Sequence, residues 1–199
     1  MLETIRWTPE EGYFLLEAHL GRLAASARYF PRPIDIDSLR VQLAAFAETL
    51  PLRPHRIRLL LPQTGEPVLQ AYALKDKPSV YRVRLATQPI DSKNPFLYHK
   101  TTQRQVYEQA LAEWPDYDDV LLWNEKREIT ESCIANLVVE MGGKRLTPPV
   151  QCGLLAGVYR SWLLEQHQIA EAIITVDDLS RCSGIYLINS VRGLWQVSL

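Results

Sequence analysis

A lone lysine, Lys100, follows a histidine and precedes two threonines in the stretch YHKTTQRQVY, residues 98–107. Most lysines are solvated surface charges, and a lysine at the start of a helix needs no further role. A lysine that is desolvated or lies near other cations has a lowered pKa and becomes nucleophilic at neutral pH. The residue therefore allows two predictions, a surface charge or an amine that does chemistry.

A glutamate, Glu131, lies in ITESCIANLVV, just after a predicted turn and just before a predicted strand. The apolar residues Ile134, Leu137 and Val139 indicate that this strand is buried. A carboxylate that enters a buried sheet needs a partner, because an unpaired buried charge is costly. The protonated ring nitrogen of a cofactor would supply one.

Small residues precede a predicted helix in TPPVQCGLLAGVYR, where Gly153, Ala156 and Gly157 lead to a first turn near Val158. Backbone N–H groups at a helix N-terminus, approached closely across a glycine, form a ready phosphate site. A plain helix start is the alternative that this segment leaves open.

Polar residues follow a predicted apolar strand in LINSVRG, namely Asn189, Ser190 and Arg192. Polar side chains at the end of a strand often line clefts. The same residue types are common in simple turns. Both interpretations stand on the residues alone.

The N-terminal half predicts two helices and an antiparallel sheet. Apolar residues recur at three- and four-residue intervals from Phe14 to Phe30, which is typical of an amphipathic helix, and Pro31 ends it. A second helix is predicted in SLRVQLAAFAETL, with Asp37 as its N-cap. The segments RIRLLL and YRVRLA predict strands of the sheet.

The polar stretch QPIDSKNP predicts a linker between two α/β units. Beyond it we expect a helix from about Thr102 and a helix in VYRSWLLEQHQ, with strands in DVLLWN, ANLVVEM, KRL, IITV and IYLINS. The predicted division is a small N-terminal domain at residues 1–88, a linker at 89–96 and a larger domain at 97–199 that carries most of the cofactor site.

Charge and cysteine content restrict the function classes. The 199 residues include 22 basic and 23 acidic side chains, for a net charge of -1 without a block of like charge, so nucleic acid is not an expected partner. The 3 cysteines lack the spacing of zinc or redox sites, so no metal is expected and a reducing compartment suits them. We find no signal peptide and no apolar run of membrane-spanning length, which predicts a cytoplasmic protein without a membrane partner.

Five segments together resemble the fold-type IV pyridoxal-phosphate enzymes, a family of branched-chain and D-amino-acid aminotransferases and 4-amino-4-deoxychorismate lyases. They are HLGRLAASA, KTTQRQVY, ITESCIANLVV, LTPPVQCGLLAGVYR and INSVRG, in the order and approximate spacing of the family. The resemblance implies an α+β fold, namely the two-domain fold of D-amino-acid aminotransferase, and pyridoxal 5'-phosphate as cofactor.

Roles for six residues follow from this resemblance. Lys100 matches the catalytic lysine that forms the internal aldimine, and Glu131 matches the acid that bonds the pyridinium nitrogen. Arg22 matches the phosphate-binding arginine, joined by the backbone amides of Val158 and Tyr159 and by Ser190. His99 is expected to be a structural histidine.

The segments KTTQR and INSVRG are most similar to the aminodeoxychorismate lyase branch, including the lyase-like domain of fused para-aminobenzoate synthases. That branch converts 4-amino-4-deoxychorismate into para-aminobenzoate and pyruvate for folate biosynthesis, with Lys100 removing the ring proton. Arg104 and Arg192 are our candidates for binding the substrate carboxylates, with surface ion pairs as the alternative. Tyr107 is expected to pack inside its helix. A class IV aminotransferase for a branched-chain or D-amino acid is the alternative enzyme.

The chain starts at the strand ETIRW, whereas family members carry an earlier strand, so we expect a fold shortened at the N-terminus. A non-catalytic protein that binds the cofactor, or an interaction subunit, is therefore the second alternative. We predict a homodimer, because members of the family form dimers and an exposed sheet edge favours pairing with a second chain. A para-aminobenzoate synthase component is expected as a further partner.

Overall fold

The computed structural model describes residues 1–64, 66–74 and 80–199. The chain divides into two compact units, the first made of Met1–Asp76 with His99–Thr102 and the second of Lys77–Tyr98 with Gln103–Leu199. The segment that carries Lys100 thus belongs to the first unit, although the residues on both sides of it belong to the second. The domain limits predicted from the sequence stay a prediction, and residues 89–96 lie within the second unit of this division.

The first unit combines an antiparallel sheet with two helices. Its elements in chain order are β1 (Leu2–Thr8), β2 (Gly12–Tyr13), α1 (Leu16–Tyr29), α2 (Ile36–Glu48), β3 (His55–Leu60) and β4 (Val68–Ala73). The strands pair in the order β2-β1-β3-β4. Strand β1 therefore lies inside the sheet, and its side chains alternate between the core and the opposite face.

Each helix of the first unit buries one apolar face. Leu20 and Leu23 of α1 pack with Leu39 and Leu43 of α2 and with Ile57 of β3 in one core. This confirms the amphipathic helix predicted between Phe14 and Phe30 and the second helix predicted in SLRVQLAAFAETL. None of the helices within the described residues is long and apolar enough to cross a membrane.

The N-cap predicted for α2 was wrong by two residues. Asp35 is the cap, and its carboxylate accepts the backbone N–H groups of Asp37 and Ser38, both at 3.0 Å. Both aspartates suit a cap by residue type, but only Asp35 stands before the first turn with extended backbone.

The second unit contains the larger sheet and two helices. Its elements in chain order are β5 (Val83–Leu85), α3 (Gln105–Glu113), β6 (Asp119–Trp123), β7 (Ile129–Ser132), β8 (Asn136–Met141), β9 (Lys144–Thr147), α4 (Val158–Glu165), β10 (Ala170–Glu171), β11 (Gly184–Asn189) and β12 (Gly193–Gln196). Short 3-10 turns cover Pro95–Leu97, Val150–Cys152 and Val176–Arg181.

This sheet curls until its ends meet. The pairing runs β5-β6-β7-β8-β11-β12, and Arg82 beside β5 bridges to Ser198 beyond β12. Strands β9 and β10 continue outward from β8. The closed part surrounds a core that includes Leu121, Leu137 and Leu187. Closure gives hydrogen-bond partners to the backbone groups of the edge strands, and it fixes the positions of the loops that join the strands.

Four local predictions were wrong for tertiary reasons. YRVRLA contributes only β5, which pairs parallel to β6 in the second unit rather than in the antiparallel sheet. Glu131 lies inside β7, not between a turn and a strand. In IITV, Thr175 caps a 3-10 turn. The helix expected from Thr102 begins at Gln105.

We predict that Leu43→Ala lowers the free energy of unfolding by about 2–5 kcal/mol, because Leu43 is fully buried and its truncation leaves a cavity. Val41→Ala in the same helix is the matched control, since Val41 is 70% exposed. It should change stability by less than about 0.5 kcal/mol. Urea unfolding of both variants measures the difference, and equal losses would contradict the described core.

Candidate active site

Lys100 is half-buried in the first unit, and its backbone is anchored to β1. The Lys100 carbonyl oxygen accepts a hydrogen bond from the Leu2 N–H at 3.0 Å. The preceding His99 bonds through Nδ1 to Ser26 Oγ at 3.0 Å, and its ring centroid lies 4.3 Å from that of Tyr29. These are the contacts of a structural histidine, and they fix the chain on which the lysine stands.

A buried carboxylate, Glu3, holds Arg22 and His19 in the first unit. Arg22 donates from Nε to Oε1 at 2.9 Å and from Nη2 to Oε2 at 2.6 Å. His19 Nδ1 lies 2.7 Å from Oε2. Glu3 is 1% exposed and His19 is 0% exposed. The two-point contact fixes the direction in which the guanidinium points.

Protonation in this cluster follows from burial and charge. Burial by itself would raise the pKa of Glu3, but the charge of Arg22 and the hydrogen bonds from His19 and Arg22 hold the pKa at about 2. Burial lowers the pKa of His19 despite the contact with Glu3, and the charges of Arg22 and Lys100 add to this. Within the described residues, His19 Nε2 is buried without a hydrogen-bond partner. We therefore assign a neutral His19 that carries its proton on Nδ1 and donates it to Glu3.

Sequence reasoning singled out Arg22 and missed Glu3 and His19. One signal was present, because His19 and Arg22 stand three residues apart in α1 and so share a face of the helix. A histidine and an arginine on a covered face need an acid nearby. That acid is Glu3 of β1. The local sequence does not show which residue of a strand faces α1.

Glu131 is the central acid of the second unit. It lies in β7 and is 4% exposed. Tyr107 of α3 donates its hydroxyl to Oε1 at 2.8 Å, and Asn136 at the start of β8 donates from Nδ2 to Oε2 at 3.1 Å. Each carboxylate oxygen therefore has a neutral donor from a different element, and the two donors orient the group.

The prediction for Tyr107 missed this hydrogen bond. Tyr107 is 7% exposed and faces the sheet rather than only its own helix. Burial first, and then the charge and hydrogen bond of Glu131, raise the pKa of Tyr107 well above its usual range. The side chain therefore stays a phenol and remains a donor to the acid.

Arg104 is tied to the turn that follows Glu131. Its Nη2 donates to the Cys133 carbonyl oxygen at 2.6 Å, and its guanidinium lies 4.6 Å from the centroid of the Tyr107 ring. The Cys133 N–H in turn donates to Asp119 Oδ1 at 3.1 Å. The bond to the Cys133 carbonyl uses one of the five donors of the guanidinium, and the predicted contact of Arg104 with a substrate carboxylate stays a prediction.

The start of α4 is held against Asn136. Asn136 Nδ2 also donates to the Leu155 carbonyl oxygen at 2.9 Å. Gly157 is the N-cap, and a Cβ added there would lie 1.9 Å from Asn136 Oδ1. A glycine is therefore required at this point. Val158 is buried in the first turn, and the Tyr159 ring stacks on Trp162 with centroids 5.6 Å apart.

Ser190 and Arg192 lie in the turn between β11 and β12. Asn189 Oδ1 accepts the N–H groups of Val191 at 3.1 Å and Arg192 at 2.8 Å, so its side chain forms the turn. Ser190 is buried within this turn. The Arg192 guanidinium lies 5.6 Å from the ring centroids of both Tyr81 and Trp195. The Arg192 guanidinium thus packs on aromatic rings, and its predicted contact with substrate stays a prediction.

The candidate residues fall into two groups. Arg22 and Lys100 belong to the first unit, and the other candidates belong to the second. Within the second unit, hydrogen bonds join Glu131 through Asn136 to the segment that precedes α4.

Comparison with known proteins identifies the family of this chain. The sequence profile of the amino-transferase class IV family matches residues 1–199. The chain belongs to that family. A Schizosaccharomyces pombe protein named provisionally as an aminodeoxychorismate lyase is 31% identical over 195 residues, which cover 90% of this chain and 81% of that protein.

Solved structures of class IV proteins share the fold. A Mesorhizobium loti protein named provisionally as an amino-acid aminotransferase has a TM-score of 0.92 and 34% identity, covering 100% of this chain and 98% of that one. The 4-amino-4-deoxychorismate lyase of Pseudomonas aeruginosa has a TM-score of 0.82 and 23% identity, covering 99% and 81%. The predicted α+β fold of D-amino-acid aminotransferase type is thereby confirmed.

Class IV enzymes use pyridoxal phosphate, and the residues of this chain fit that cofactor. Glu131 is a buried acid whose two oxygens are already oriented, as a protonated ring nitrogen requires. Gly157 caps α4 without a side-chain hydrogen bond, so the first backbone N–H groups of the helix suit a phosphate. The protein is an enzyme of this family.

We predict that Glu3→Gln removes part of the pH dependence of stability. The folded pKa of Glu3 is about 2 against 4.5 in the unfolded chain, so its stabilisation is present above pH 4.5 and is lost as pH falls towards 2. At pH 7 the variant should lose about 3 kcal/mol, because the buried ion pair of Glu3 with the partly buried Arg22 is broken. The deficit should shrink at pH 3.

Glu17→Gln is the matched control for that measurement. Glu17 also binds an arginine, Arg40, but it is exposed. Thermal and urea unfolding at pH 7 and pH 3 should show little change for this variant at either pH. A Glu3→Gln deficit that is the same at both pH values would contradict the assigned protonation.

Proposed function

We propose that the protein is a pyridoxal-phosphate-dependent lyase that converts 4-amino-4-deoxychorismate into para-aminobenzoate and pyruvate. The observation that carries this proposal is the similarity, over nine-tenths of the chain, to the S. pombe protein named for this activity. The segments KTTQR and INSVRG, which resemble the lyase branch, support it independently of that name. The reaction would supply the aromatic amine for folate synthesis.

Six residues would hold the cofactor. Lys100 would bind it covalently, and Glu131 would bond the ring nitrogen. Arg22, fixed by Glu3, would bind the phosphate. The amides of Val158 and Tyr159 and the hydroxyl of Ser190 would bind it as well. The bound cofactor supplies a carbonyl for the substrate amine and a ring that accepts electrons.

The reaction requires one proton to move and one carbon–oxygen bond to break. The Lys100 amine, released when the substrate amine takes its place, would remove the ring proton beside that amine. The substrate ring would become aromatic as its carbon–oxygen bond breaks, and the departing enolpyruvate would take up a proton to give pyruvate. Tyr107 and Asn136 would keep the Glu131 carboxylate aimed at the ring nitrogen during this step.

Two arginines would bind the substrate carboxylates. The bond from Arg104 to the Cys133 carbonyl fixes the orientation of its guanidinium. The rings of Tyr81 and Trp195 do the same for Arg192. A guanidinium with a fixed orientation suits two-point recognition of a carboxylate.

The second candidate function is a class IV aminotransferase acting on a branched-chain or D-amino acid. The M. loti structure favours it, because that protein is 34% identical over nearly the full length of both chains and is named for aminotransferase activity. Lys100 would then move a proton between two carbons instead of promoting an elimination. The same cofactor residues serve both reactions.

The proposal includes a cytoplasmic homodimer that receives its substrate from a para-aminobenzoate synthase component. Cys133, Cys152 and Cys182 are all free thiols, which suits a reducing compartment. Strand β4 forms an edge of the first sheet, with Val68 and Tyr72 exposed, and an open edge favours pairing with a second chain.

The direct test incubates the purified protein and pyridoxal phosphate with 4-amino-4-deoxychorismate. We expect para-aminobenzoate, followed by its fluorescence, and pyruvate, followed with lactate dehydrogenase, in equal amounts. In parallel, branched-chain and D-amino acids are offered with a 2-oxo acid. Amino transfer without para-aminobenzoate would overturn the lyase proposal in favour of the aminotransferase, and neither activity would contradict both.

We predict that Lys100→Ala lowers the rate of whichever reaction is found by at least about 100-fold, since the residue both binds the cofactor and moves the proton. Lys93→Ala is the control, because Lys93 is an exposed lysine of the second unit. It should keep the wild-type rate. Comparable losses in the two variants would argue against a catalytic role for Lys100.

A further inference from the structure

One amide side chain connects two parts of the second unit that are far apart in sequence. The two N–H groups of Asn136 Nδ2 reach Glu131 Oε2 at 3.1 Å and the Leu155 carbonyl oxygen at 2.9 Å. Glu131 lies in β7, and Leu155 lies just before α4. Asn136 is 5% exposed, so both bonds form away from water.

The oxygen of the same amide, Asn136 Oδ1, lies close to Gly157, the N-cap of α4. A Cβ at Gly157 would lie 1.9 Å from Asn136 Oδ1 and 3.1 Å from its Cγ. No real contact is that short, so an alanine at residue 157 has to displace the amide. Displacement would break the bonds of Nδ2 to both partners.

We propose that Asn136 is a positioning residue that holds the Glu131 carboxylate and the first turn of α4 in one fixed arrangement. The inference rests on the proposed cofactor site, in which Glu131 bonds the ring nitrogen and the amides of Val158 and Tyr159 bind the phosphate. Asn136 then sets the spacing between the groups that hold the two ends of the cofactor. Gly157 is the complementary part, because only a glycine lets the amide lie so close to the helix.

A role in filling space would not need this residue type. A leucine has the same branched arrangement of side-chain heavy atoms, whereas the amide supplies two donors to two acceptors, one of them a buried carboxylate. Hydrogen bonds to a charged group are among the stronger polar contacts in proteins. The arrangement therefore predicts an effect on cofactor affinity that is separate from any effect on stability.

The experiment measures dissociation constants for pyridoxal phosphate and for pyridoxal, which lacks the phosphate. The proteins are the wild-type apoprotein, Gly157→Ala, Asn136→Ala and the double variant, each followed by absorbance titration. The free energy of unfolding of each apoprotein is measured in parallel. Gly21→Ala is the control for the glycine change, because nothing lies within 4 Å of a Cβ at Gly21.

We expect Gly157→Ala and Asn136→Ala each to weaken pyridoxal phosphate binding about tenfold or more. Pyridoxal binding should weaken less, since of the two groups that Asn136 positions only Glu131 contacts a cofactor without a phosphate. In the Asn136→Ala background, the added methyl group at residue 157 meets no amide and should change affinity by less than about twofold. Gly21→Ala should bind like wild type.

Two results would overturn the inference. One is a loss of stability in Asn136→Ala with both dissociation constants unchanged, which would make the residue structural only. The other is additive losses in the double variant. If Asn136→Ala does not fold, Asn136→Asp has the same shape without the two donors and should show the same loss of affinity.

A separate pair of variants tests the proposed cofactor site independently of Asn136. If Glu131→Gln and Arg22→Ala both bind pyridoxal phosphate like wild type, then the cofactor assignment is wrong whatever the Asn136 variants do. If those two variants lose affinity and the Asn136 variants do not, only the positioning role is wrong.

Discussion

A carboxylate buried in a sheet determines how the second unit is built. Placing such a group away from water without partners costs several kcal/mol. Glu131 meets this requirement with the Tyr107 hydroxyl and the Asn136 amide, one from α3 and one from β8. The closed sheet brings β7 and β8 together. The hydrogen bond from Asn136 to the Leu155 carbonyl oxygen then ties the segment before α4 to the same acid. One acid thereby fixes the relation of four elements.

The buried acids Glu3 and Glu131 differ in the hydrogen-bond donors that hold them. Glu3 faces a guanidinium, which pairs its charge and holds its pKa at about 2 against the opposing effect of burial. The Tyr107 hydroxyl and the Asn136 amide are neutral donors that orient the Glu131 carboxylate. In the proposed roles, Glu3 fixes an arginine for a phosphate, whereas Glu131 would meet a protonated ring. Both arrangements use helix and strand residues that meet only after folding.

The sequence predicted the helices well, because apolar periodicity in α1 and α2 reports directly on a buried face. It also singled out Glu131 and the glycine segment before α4, since a buried acid and clustered small residues are unusual locally. It could not predict the parallel pairing of β5 with β6, because period-2 alternation does not name the partner strand. It did not predict that Tyr107 and Asn136 bind Glu131, or that Glu3 binds His19 and Arg22. These hydrogen bonds join residues that are distant in sequence, and the direction of their side chains depends on tertiary packing.

Covalent attachment of the cofactor to Lys100 is the central claim, and borohydride reduction tests it most directly. The protein is mixed with pyridoxal phosphate, its visible absorption is recorded, and the reduced protein is mapped by peptide mass spectrometry. We expect a visible band and a label on Lys100, with both absent in Lys100→Ala. A label on another lysine, or no band and no label, would contradict the account.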